Sequence, residues 1–357
     1  MSDAEVISRV LGLLDPGAGA MHGLRRGGDL LLALPADREA AARALRLYQP
    51  QRPLARGMVA AVRGLLRIGL HGRVLREVRV TREKAAAVTP LLPGIGCGTC
   101  GVLLGSPEHR VRRAIASYRN AGVWEVAKIS FGAEGAGILE QEARALTELQ
   151  LLADGVPPLL GLHHAAEVTV LRMPYLSGKP VPPGDYPAAL LLLDSWVTDR
   201  PPQPITAYQE WPAIVASLAH SAAGRAVVDR LSMETLRPVI CHGDFARWNL
   251  LRTTGGELRV LDWEWGHQDG LPGIDLVHYF LQDARMVARL APASAIAATQ
   301  RELKRPECAA YLAATGWTGE PLLPILACLA YKQGARHQDN TEVLAAAVMM
   351  TGVSVFR

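Results

Sequence analysis

Three polar residues stand at fixed distances in the most strongly patterned stretch of this chain. Asp244 closes a His-Gly-Asp turn, Asn249 follows five positions later, and Asp262 ends an apolar run. Residues 251–260 lie between the two parts, and their Thr-Thr-Gly-Gly centre predicts a β-hairpin. We therefore expect a loop and a hairpin whose ends bring these three side chains to one site.

The residue types at these positions suit one kind of chemistry. Transfer of a γ-phosphoryl group needs a carboxylate that orients the attacking hydroxyl and accepts its proton. Asp244 fits that role, and Asn249 and Asp262 fit as ligands of Mg²⁺, since hard cations prefer carboxylate and amide oxygens. The alternative is an ordinary turn followed by an exposed strand end. That interpretation explains each piece alone but not their joint spacing.

This order of motifs resembles the aminoglycoside phosphotransferase family, the small-molecule branch of the protein-kinase-like fold. The matching segments are residues 242–245 with 249–250, residues 262–264 and residues 273–276. The resemblance covers residues 98–357 and implies an α+β bilobal fold. Its small N-lobe would be an antiparallel sheet, and its C-lobe would be mainly helical.

The implied organisation has three parts. They are an N-terminal extension of mixed helix and strand (residues 1–95), a nucleotide-binding N-lobe (96–173), and a helical C-lobe with the catalytic loop and the acceptor site (174–357). Within the C-lobe the apolar patterns predict helices over residues 188–197, 211–231, 275–289, 323–331 and 343–350.

The resemblance also implies a nucleotide contact upstream. Lys128 lies in a Val-Ala-Lys-Ile strand close to the Val-Ala-Ile-Lys motif of kinases, where the lysine contacts the α- and β-phosphates. A helix predicted over residues 137–149 carries Glu142 where the family has the glutamate that pairs with this lysine, and Glu140 is the second candidate. The alternatives are a solvated strand lysine and surface helix charges.

Further nucleotide contacts follow from the same resemblance. Gly105 and Ser106 lie between predicted strands 101–104 and 113–118, where backbone amides would meet phosphate, although an ordinary hairpin turn fits this single-glycine segment equally. Met173, Tyr175 and Leu176 follow a predicted strand from residue 168, and their backbone groups would bind the purine. Backbone contacts do not distinguish ATP from GTP.

The remaining site residues have more open roles. His242 is expected to fix the catalytic loop by hydrogen bonds, with direct catalysis as the alternative. Arg247 either contacts the acceptor or packs. Asp275 would anchor the loop from a helix N-terminus, where the helix dipole favours a carboxylate. An acidic pocket for amines would draw on Glu264, Asp269 and Asp283, which fit solvated surface positions equally.

Whole-chain properties agree with a large globular enzyme. At 357 residues and 49 % hydrophobic, the chain can bury a sizeable core, and no apolar run reaches the length of a membrane span. The N-terminus lacks the pattern of a secretory signal. Five cysteines, an odd number, indicate reduced thiols and a cytoplasmic setting. Cys97 and Cys100 form a lone C-x-x-C without a second ligand pair, so metal or redox use is not favoured.

Residues 1–95 fall outside the resemblance. Their patterns predict helices over residues 4–14, 37–48 and 52–70 and a strand over residues 30–34. Arginines along residues 52–82 would allow contact with an anionic membrane surface, but a helix packed on the protein with its arginines in water is favoured. The net charge of +4 and the lack of interleaved aromatic residues argue against a nucleic-acid partner.

The predicted function is a Mg²⁺-dependent phosphotransferase. It would move the γ-phosphoryl group of ATP or GTP to a hydroxyl of a small molecule such as a sugar, an aminoglycoside or an amino alcohol. The alternative is a pseudokinase that binds nucleotide without turnover. A protein kinase is disfavoured because Asp-Trp-Glu replaces Asp-Phe-Gly and no room remains for a long activation loop. The oligomeric state is not indicated.

Overall fold

The computed structural model describes residues 6–7, 9–10, 13, 21–26, 29–50, 53–78, 99–104, 113–182, 184–336 and 340–352. Its chain contacts divide it into two compact units. The first comprises Met1–Thr147 and Pro157–Ser177, and the second comprises Glu148–Val156 and Gly178–Arg357.

The first unit is built on one eight-stranded antiparallel sheet, in the order β3-β1-β2-β4-β5-β6-β8-β7. Its strands are β1 Met21–Arg26, β2 Asp29–Leu34, β3 Arg76–Val78, β4 Gly101–Leu104, β5 Arg113–Asn120, β6 Val123–Phe131, β7 Gly161–Ala165 and β8 Val168–Pro174. Its helices are α1 Arg38–Leu47, α2 Pro53–Arg67, α3 His71–Val74 and α4 Gly132–Leu149, whose last two residues belong to the second unit.

The strands of residues 21–78 belong to the same sheet as the predicted nucleotide-binding strands. Two apolar clusters pack on this sheet. One joins Val6, Ile7, Val10 and Leu13 to residues of seven strands, and the other joins α1 and α2 to β1 and β2. Burial of this apolar surface is the main force that holds these segments together. The separate roles of residues 1–95 and 96–173 remain a prediction.

Local sequence explains the hairpin at the centre of the sheet. Asn120 pairs with Val123, and between them Ala121 and Gly122 have φ angles of 46° and 88°. Positive φ at both central residues defines the tight turn that matches the twist of antiparallel strands. The hairpin places Lys128 in β6 beside Ile115 of β5 and Leu171 of β8.

The helices of the N-terminal segment also follow their sequence signals. Asp37 caps α1 by accepting a hydrogen bond from the Ala40 amide at 2.8 Å. Strand β2 matches the prediction over residues 30–34. Strand β1 was not predicted, because Met-His-Gly-Leu-Arg-Arg lacks a period-two alternation and glycine disfavours strands. Arg79, Arg82, Cys97, Gly105 and Ser106 lie outside the described residues.

The second unit is mainly helical. Its helices are α5 Tyr186–Ser195, α6 Trp211–Leu218, α7 Ala222–Leu231, α8 Ile274–Gln282, α9 Pro292–Leu303, α10 Pro306–Ala314, α11 Leu322–Arg336 and α12 Thr341–Met349. Short strands complete it: β9 Gly178–Pro180, β10 Gln203–Pro204, β11 Thr235–Leu236, β12 Val239–Cys241, β13 Leu250–Thr253, β14 Leu258–Val260 and β15 His267–Gly270. The antiparallel-sheet and helical parts confirm the predicted α+β class.

Two helix predictions in this unit were wrong. Residues 211–231 form two helices, because Ser221 has an extended backbone and its hydroxyl caps α7 by accepting a hydrogen bond from the Gly224 amide at 3.0 Å. In place of one helix over residues 275–289, the α-helix ends at Gln282 and a π-helical turn, Asp283–Val287, follows it. The predicted hairpin is confirmed, with Leu250 of β13 opposite Val260 of β14.

The cysteines and the lengths of the helices can be compared with the predicted reduced thiols and the predicted lack of a membrane span. None of the four described cysteines forms a disulfide, and all four are buried. Burial raises the pKa of the Cys308 thiol to about 12, so this thiol is neutral at physiological pH. No helix among the described residues is long and apolar enough to span a membrane.

The contact between α1 and β4 gives a test of this packing. A Cβ atom on Gly101 would lie 2.1 Å from the Ala44 Cβ atom, so Gly101→Ala forces α1 away from the sheet. We expect the free energy of unfolding in urea to fall by about 1–3 kcal/mol. The control is Gly57→Ala on the open face of α2, which should raise stability by up to about 1 kcal/mol. Equal stability of the Gly101 variant and wild type would contradict this packing.

Candidate active site

The predicted catalytic loop, residues 242–249, is held by one buried carboxylate. Asp275 lies in the first turn of α8 and accepts hydrogen bonds from the His242 amide (2.7 Å, to Oδ2) and the Gly243 amide (2.8 Å, to Oδ1). Gly243 has a φ of 75°, a backbone conformation that L side chains rarely adopt. The predicted anchoring by Asp275 is thus present in the geometry.

His242 connects this loop to the segment that carries Asp262. Its Nδ1 accepts a hydrogen bond from the Asp244 amide at 3.1 Å, and its Nε2 donates to the Leu261 carbonyl at 2.9 Å. Burial lowers the pKa of His242 below its ordinary value, although nearby carboxylates oppose this. The neutral ring has one donor and one acceptor nitrogen, which is what the two contacts require. The expected structural role of His242 fits this geometry.

The Asp244 side chain lies among hydrogen-bond donors. Its Oδ1 accepts from His278 Nε2 at 3.0 Å and lies 3.7 Å from Lys332 Nζ, while its Oδ2 accepts from Asn249 Nδ2 at 3.1 Å. Burial alone would raise the pKa of Asp244, but the hydrogen bond from His278 and the charges of His278 and Lys332 hold it well below its usual range. Asp244 is therefore ionised throughout the physiological pH range.

Asn249 and Asp262 are brought together by a backbone hydrogen bond. The Leu261 amide donates to the Asn249 carbonyl at 2.8 Å. Asn249 Nδ2 donates both to the Asp244 backbone carbonyl (2.8 Å) and to its carboxylate, so the amide oxygen is the atom with which Asn249 could bind a cation. Asp262 has a φ of 71°, in the left-handed region that aspartate tolerates better than most residues. An amide oxygen and a carboxylate suit Mg²⁺, which keeps its remaining positions for water and phosphate.

Arg247 is occupied within the second unit. Its Nε donates to Asp283 Oδ1 at 3.0 Å and Oδ2 at 3.3 Å, and its Nη1 donates to the Val181 carbonyl at 3.5 Å. Of its two predicted roles, this geometry favours packing. Asp269 likewise pairs with Arg200, and Glu264 accepts from the indole of Trp265 at 3.1 Å. Asp269 and Asp283 therefore do not offer unpaired charge to an amine.

An aromatic cluster supports the loop from within the unit. Trp263 packs edge-on against His242 with ring centroids 4.7 Å apart, and Trp196 contacts both Phe245 (5.5 Å) and Trp263 (5.3 Å). Trp196, Phe245 and Trp263 are fully buried. Such tilted and edge-on pairs stabilise the packing beyond the area they bury.

The predicted lysine–glutamate pair is present in the first unit. Lys128 Nζ donates to Glu142 Oε1 at 2.6 Å and Oε2 at 2.8 Å, and both residues are buried. Glu140, the second candidate, is half exposed and lies 3.8 Å from His164 instead. Because removal of either partner would leave a buried charge unpaired, this pair strongly fixes the lysine.

The predicted purine-binding segment follows β8. The Tyr175 amide already donates to the Trp124 carbonyl at 2.9 Å, so any purine contact would use Met173, Leu176 or the Tyr175 carbonyl. The guanidinium of Arg43 lies over the rings of Trp124 and Tyr175, 4.7 Å and 5.2 Å from their centroids. The phosphate contacts predicted at Gly105 and Ser106 fall outside the described residues.

Sequence reasoning missed His278 and Lys332. Helical periodicity could have identified both residues, because each is a polar residue at a position that continues the buried apolar face of its helix. His278 lies four positions after Ile274 on α8, and Lys332 lies four positions after Cys328 on α11. Residues four apart share a helix face. A lysine on a buried face needs a partner, and here the partners belong to the catalytic loop.

A second buried polar cluster lies at β15. His267 Nδ1 is 3.0 Å from the Trp265 carbonyl, and its Nε2 is 2.8 Å from Glu210 Oε1. Cys241 completes a group of metal-ligand residue types whose ligand atoms lie within 4.8 Å of one another. Both contacts of His267 are to acceptors, so the ring donates from both nitrogens and keeps no lone pair for a metal. The arrangement is a buried imidazolium–carboxylate pair.

No protein-family model matches this chain, and no curated protein matches its sequence. Similar solved structures include a thermostable mutant of aminoglycoside phosphotransferase APH(4)-Ia (14 % identity, TM-score 0.47, 71 % of this chain and 95 % of that chain). They include aminoglycoside phosphotransferase APH(3'')-Id from Streptomyces rimosus (15 %, 0.40, 61 % and 88 %). They also include choline kinase LicA from Streptococcus pneumoniae (12 %, 0.37, 68 % and 89 %).

The His267–Glu210 pair predicts a pH dependence of stability. Burial alone would lower the pKa of His267, but the hydrogen bond and charge of Glu210 raise it above its ordinary value. A raised pKa in the folded state stabilises the protein fully below about pH 6.5, and this contribution is lost as pH rises through the folded-state pKa. His267→Gln should therefore lower the free energy of unfolding by about 3–5 kcal/mol at pH 5.5 and by less at pH 8.5.

Urea unfolding at both pH values measures this difference. The control is His220→Gln at an exposed position of the same unit, where little change is expected at either pH. A difference between wild type and His267→Gln that stays constant with pH would contradict the charged pair.

Proposed function

We propose that this protein transfers the γ-phosphoryl group of ATP or GTP to a hydroxyl of a small molecule. The observation that carries the proposal is the pair of hydrogen bonds from Asn249 Nδ2 to the carbonyl and carboxylate of Asp244. They join the proposed base to a proposed metal ligand within one loop. An ordinary turn has no need of an ionised, partly exposed carboxylate in contact with a buried asparagine.

Asp244 would orient the acceptor hydroxyl and take its proton. The transition state of phosphoryl transfer is loose, so the nucleophile is little activated early and the proton moves late. A base for this reaction needs position more than high basicity. The low pKa of Asp244, which keeps it ionised, suits that demand.

Asn249 and Asp262 would hold Mg²⁺. The ion, when bound, supplies positive charge that neutralises the phosphate oxygens of the nucleotide. The residues fit this ion because both present hard oxygen ligands and the Leu261–Asn249 hydrogen bond keeps their backbones adjacent. Two protein ligands are sufficient, since Mg²⁺ usually retains several waters and phosphate oxygens.

Lys128, oriented by Glu142, would contact the α- and β-phosphates. A buried ammonium with two carboxylate contacts keeps a fixed orientation, and its positive charge suits the negative charge of the phosphates. Backbone groups of Gly105, Ser106, Met173 and Leu176 are proposed as further nucleotide contacts. The buried, non-disulfide cysteines suit the reducing cytoplasm that the cysteine count predicts.

The experiment that tests this proposal is nucleotide consumption with Mg-ATP and Mg-GTP across a panel of hydroxyl acceptors. Sugars, aminoglycosides and amino alcohols make up the panel. Turnover that depends on both an acceptor and Asp244 would support a small-molecule kinase and identify the acceptor class. Nucleotide binding without acceptor-dependent turnover across the panel would favour the pseudokinase alternative.

One prediction of this proposal concerns the proposed base, Asp244. Asp244→Asn keeps the shape of the side chain but removes its charge, so kcat should fall on the order of 10²–10⁴-fold while nucleotide affinity is retained. Steady-state kinetics and calorimetric binding measure the two quantities. Glu257→Gln, at an exposed carboxylate of the β13–β14 hairpin, is the control and should match wild type. Wild-type kcat in Asp244→Asn would refute the role of Asp244.

Another prediction of this proposal concerns Asp262 as a ligand of Mg²⁺. Asp262→Ala should abolish the part of nucleotide affinity that depends on Mg²⁺, because it removes the only charged protein ligand proposed for the ion. Calorimetric titration with nucleotide, in the presence of Mg²⁺ or of EDTA, measures this dependence. If Asp262→Ala binds Mg-nucleotide as wild type does, the metal assignment is wrong.

A further inference from the structure

The two oxygens of the Asp244 carboxylate have different surroundings. Oδ1 accepts the hydrogen bond from His278 and faces the Lys332 ammonium, whereas Oδ2 accepts one hydrogen bond from the part of the chain that the structure describes, from Asn249 Nδ2 at 3.1 Å. The Asp244 side chain is 28 % exposed, but those of His278 and Lys332 are each 2 % exposed. The groups that hold Oδ1 therefore belong to the interior of the unit.

Lys332 also holds the backbone of the loop. Its ammonium donates to the Gly243 carbonyl, one residue before Asp244. It comes from α11, which packs against α8, the helix of His278. The two helices thus contact the same aspartate side chain, and both also bind backbone groups of Gly243, through Asp275 and Lys332.

The free-energy cost of burying Lys332 indicates that its contact with Asp244 has a role beyond helix packing. Desolvation of an ammonium costs several kcal/mol and is offset only by good partners. Apolar side chains could join two packed helices without that cost. Here the buried cation and the buried imidazole both face one carboxylate, which is the group whose position the proposed chemistry depends on.

We propose that His278 and Lys332 are positioning residues that occupy Oδ1 of Asp244, so that Oδ2 is the oxygen that accepts the proton of the acceptor hydroxyl. This inference rests on the proposed function. Neither residue touches substrate, and both act by fixing the rotation of the carboxylate and the course of the loop.

The step balances as follows in the proposed reaction. The acceptor oxygen forms a bond to the γ-phosphorus, and the bond from that phosphorus to the β–γ bridging oxygen breaks. The bond electrons leave with the nucleoside diphosphate. The acceptor proton passes to Oδ2 of Asp244 and from there to solvent, which returns the carboxylate to its ionised state.

The test compares His278→Gln with His278→Asn in the full chain, with the acceptor that supports turnover. Glutamine can place an N–H near the position of Nε2, whereas asparagine is too short to reach Asp244. A displacement of the reacting group by about 1 Å can cost on the order of 10²-fold in rate. We therefore expect kcat of His278→Asn to fall about 10–100-fold while the KM for nucleotide stays within about twofold, and His278→Gln to recover most of kcat.

Lys332→Met extends the test to the second contact. Methionine retains most of the volume but neither the charge nor the donor, and the same selective loss of kcat is expected. Tyr279→Phe is the matched control, because Tyr279 is buried on the same helix as His278 and its hydroxyl has no hydrogen-bond partner among the described residues. Its kcat should equal that of wild type.

The outcomes separate the inference from the function on which it rests. If wild type shows no turnover that depends on Asp244, the proposed function fails and the inference falls with it. If Asp244-dependent turnover is present but folded His278→Asn keeps wild-type kcat, the inference alone is overturned. A rise in the KM for nucleotide with unchanged kcat, or equal losses in His278→Asn and His278→Gln, would also overturn it.

Discussion

The buried carboxylate of Asp275 is the contact on which the candidate site depends. It accepts hydrogen bonds from the amides of His242 and Gly243, two buried residues. An unsatisfied buried donor costs about 1–3 kcal/mol, and hydrogen bonds to charged groups are stronger than neutral ones. The position of Asp275 in the first turn of α8 adds the favourable helix dipole. One side chain thereby fixes the start of the loop, including the left-handed backbone at Gly243.

The rest of the site follows from that anchor through a short series of hydrogen bonds. His242 leads from the anchored turn to the Leu261 carbonyl, and the Leu261 amide leads back to Asn249. Asp262 comes next along the chain, directly after Leu261, whose carbonyl and amide both form these hydrogen bonds. Asn249 then binds Asp244. The proposed base and the proposed metal ligands are thus connected through one backbone hydrogen bond and the side chains of His242 and Asn249.

Much of this could be predicted because short-range patterns determine it. The hairpin that separates Asn249 from Asp262 follows from spacing and residue type. The pairing of Lys128 with Glu142 and the anchor at Asp275 were expected from the resemblance to the aminoglycoside phosphotransferase family. The break between α6 and α7 was missed because the apolar pattern runs through it, and only the Ser221 cap shows it. His278 and Lys332 were missed because they are far from Asp244 in sequence. Their role depends on how helices pack, and periodicity shows only that their faces are buried.

The most direct test of the anchor is hydrogen–deuterium exchange in wild type and Asp275→Asn. Asparagine keeps the size of the side chain, but one of the two oxygens that accept from the loop is replaced by an NH₂ group, which donates. If Asp275 holds the loop, amides of residues 242–249 should exchange on the order of ten times faster in the variant. Amides of the β5–β6 hairpin in the first unit should exchange as in wild type. Unchanged exchange of residues 242–249 in a folded variant would contradict the account.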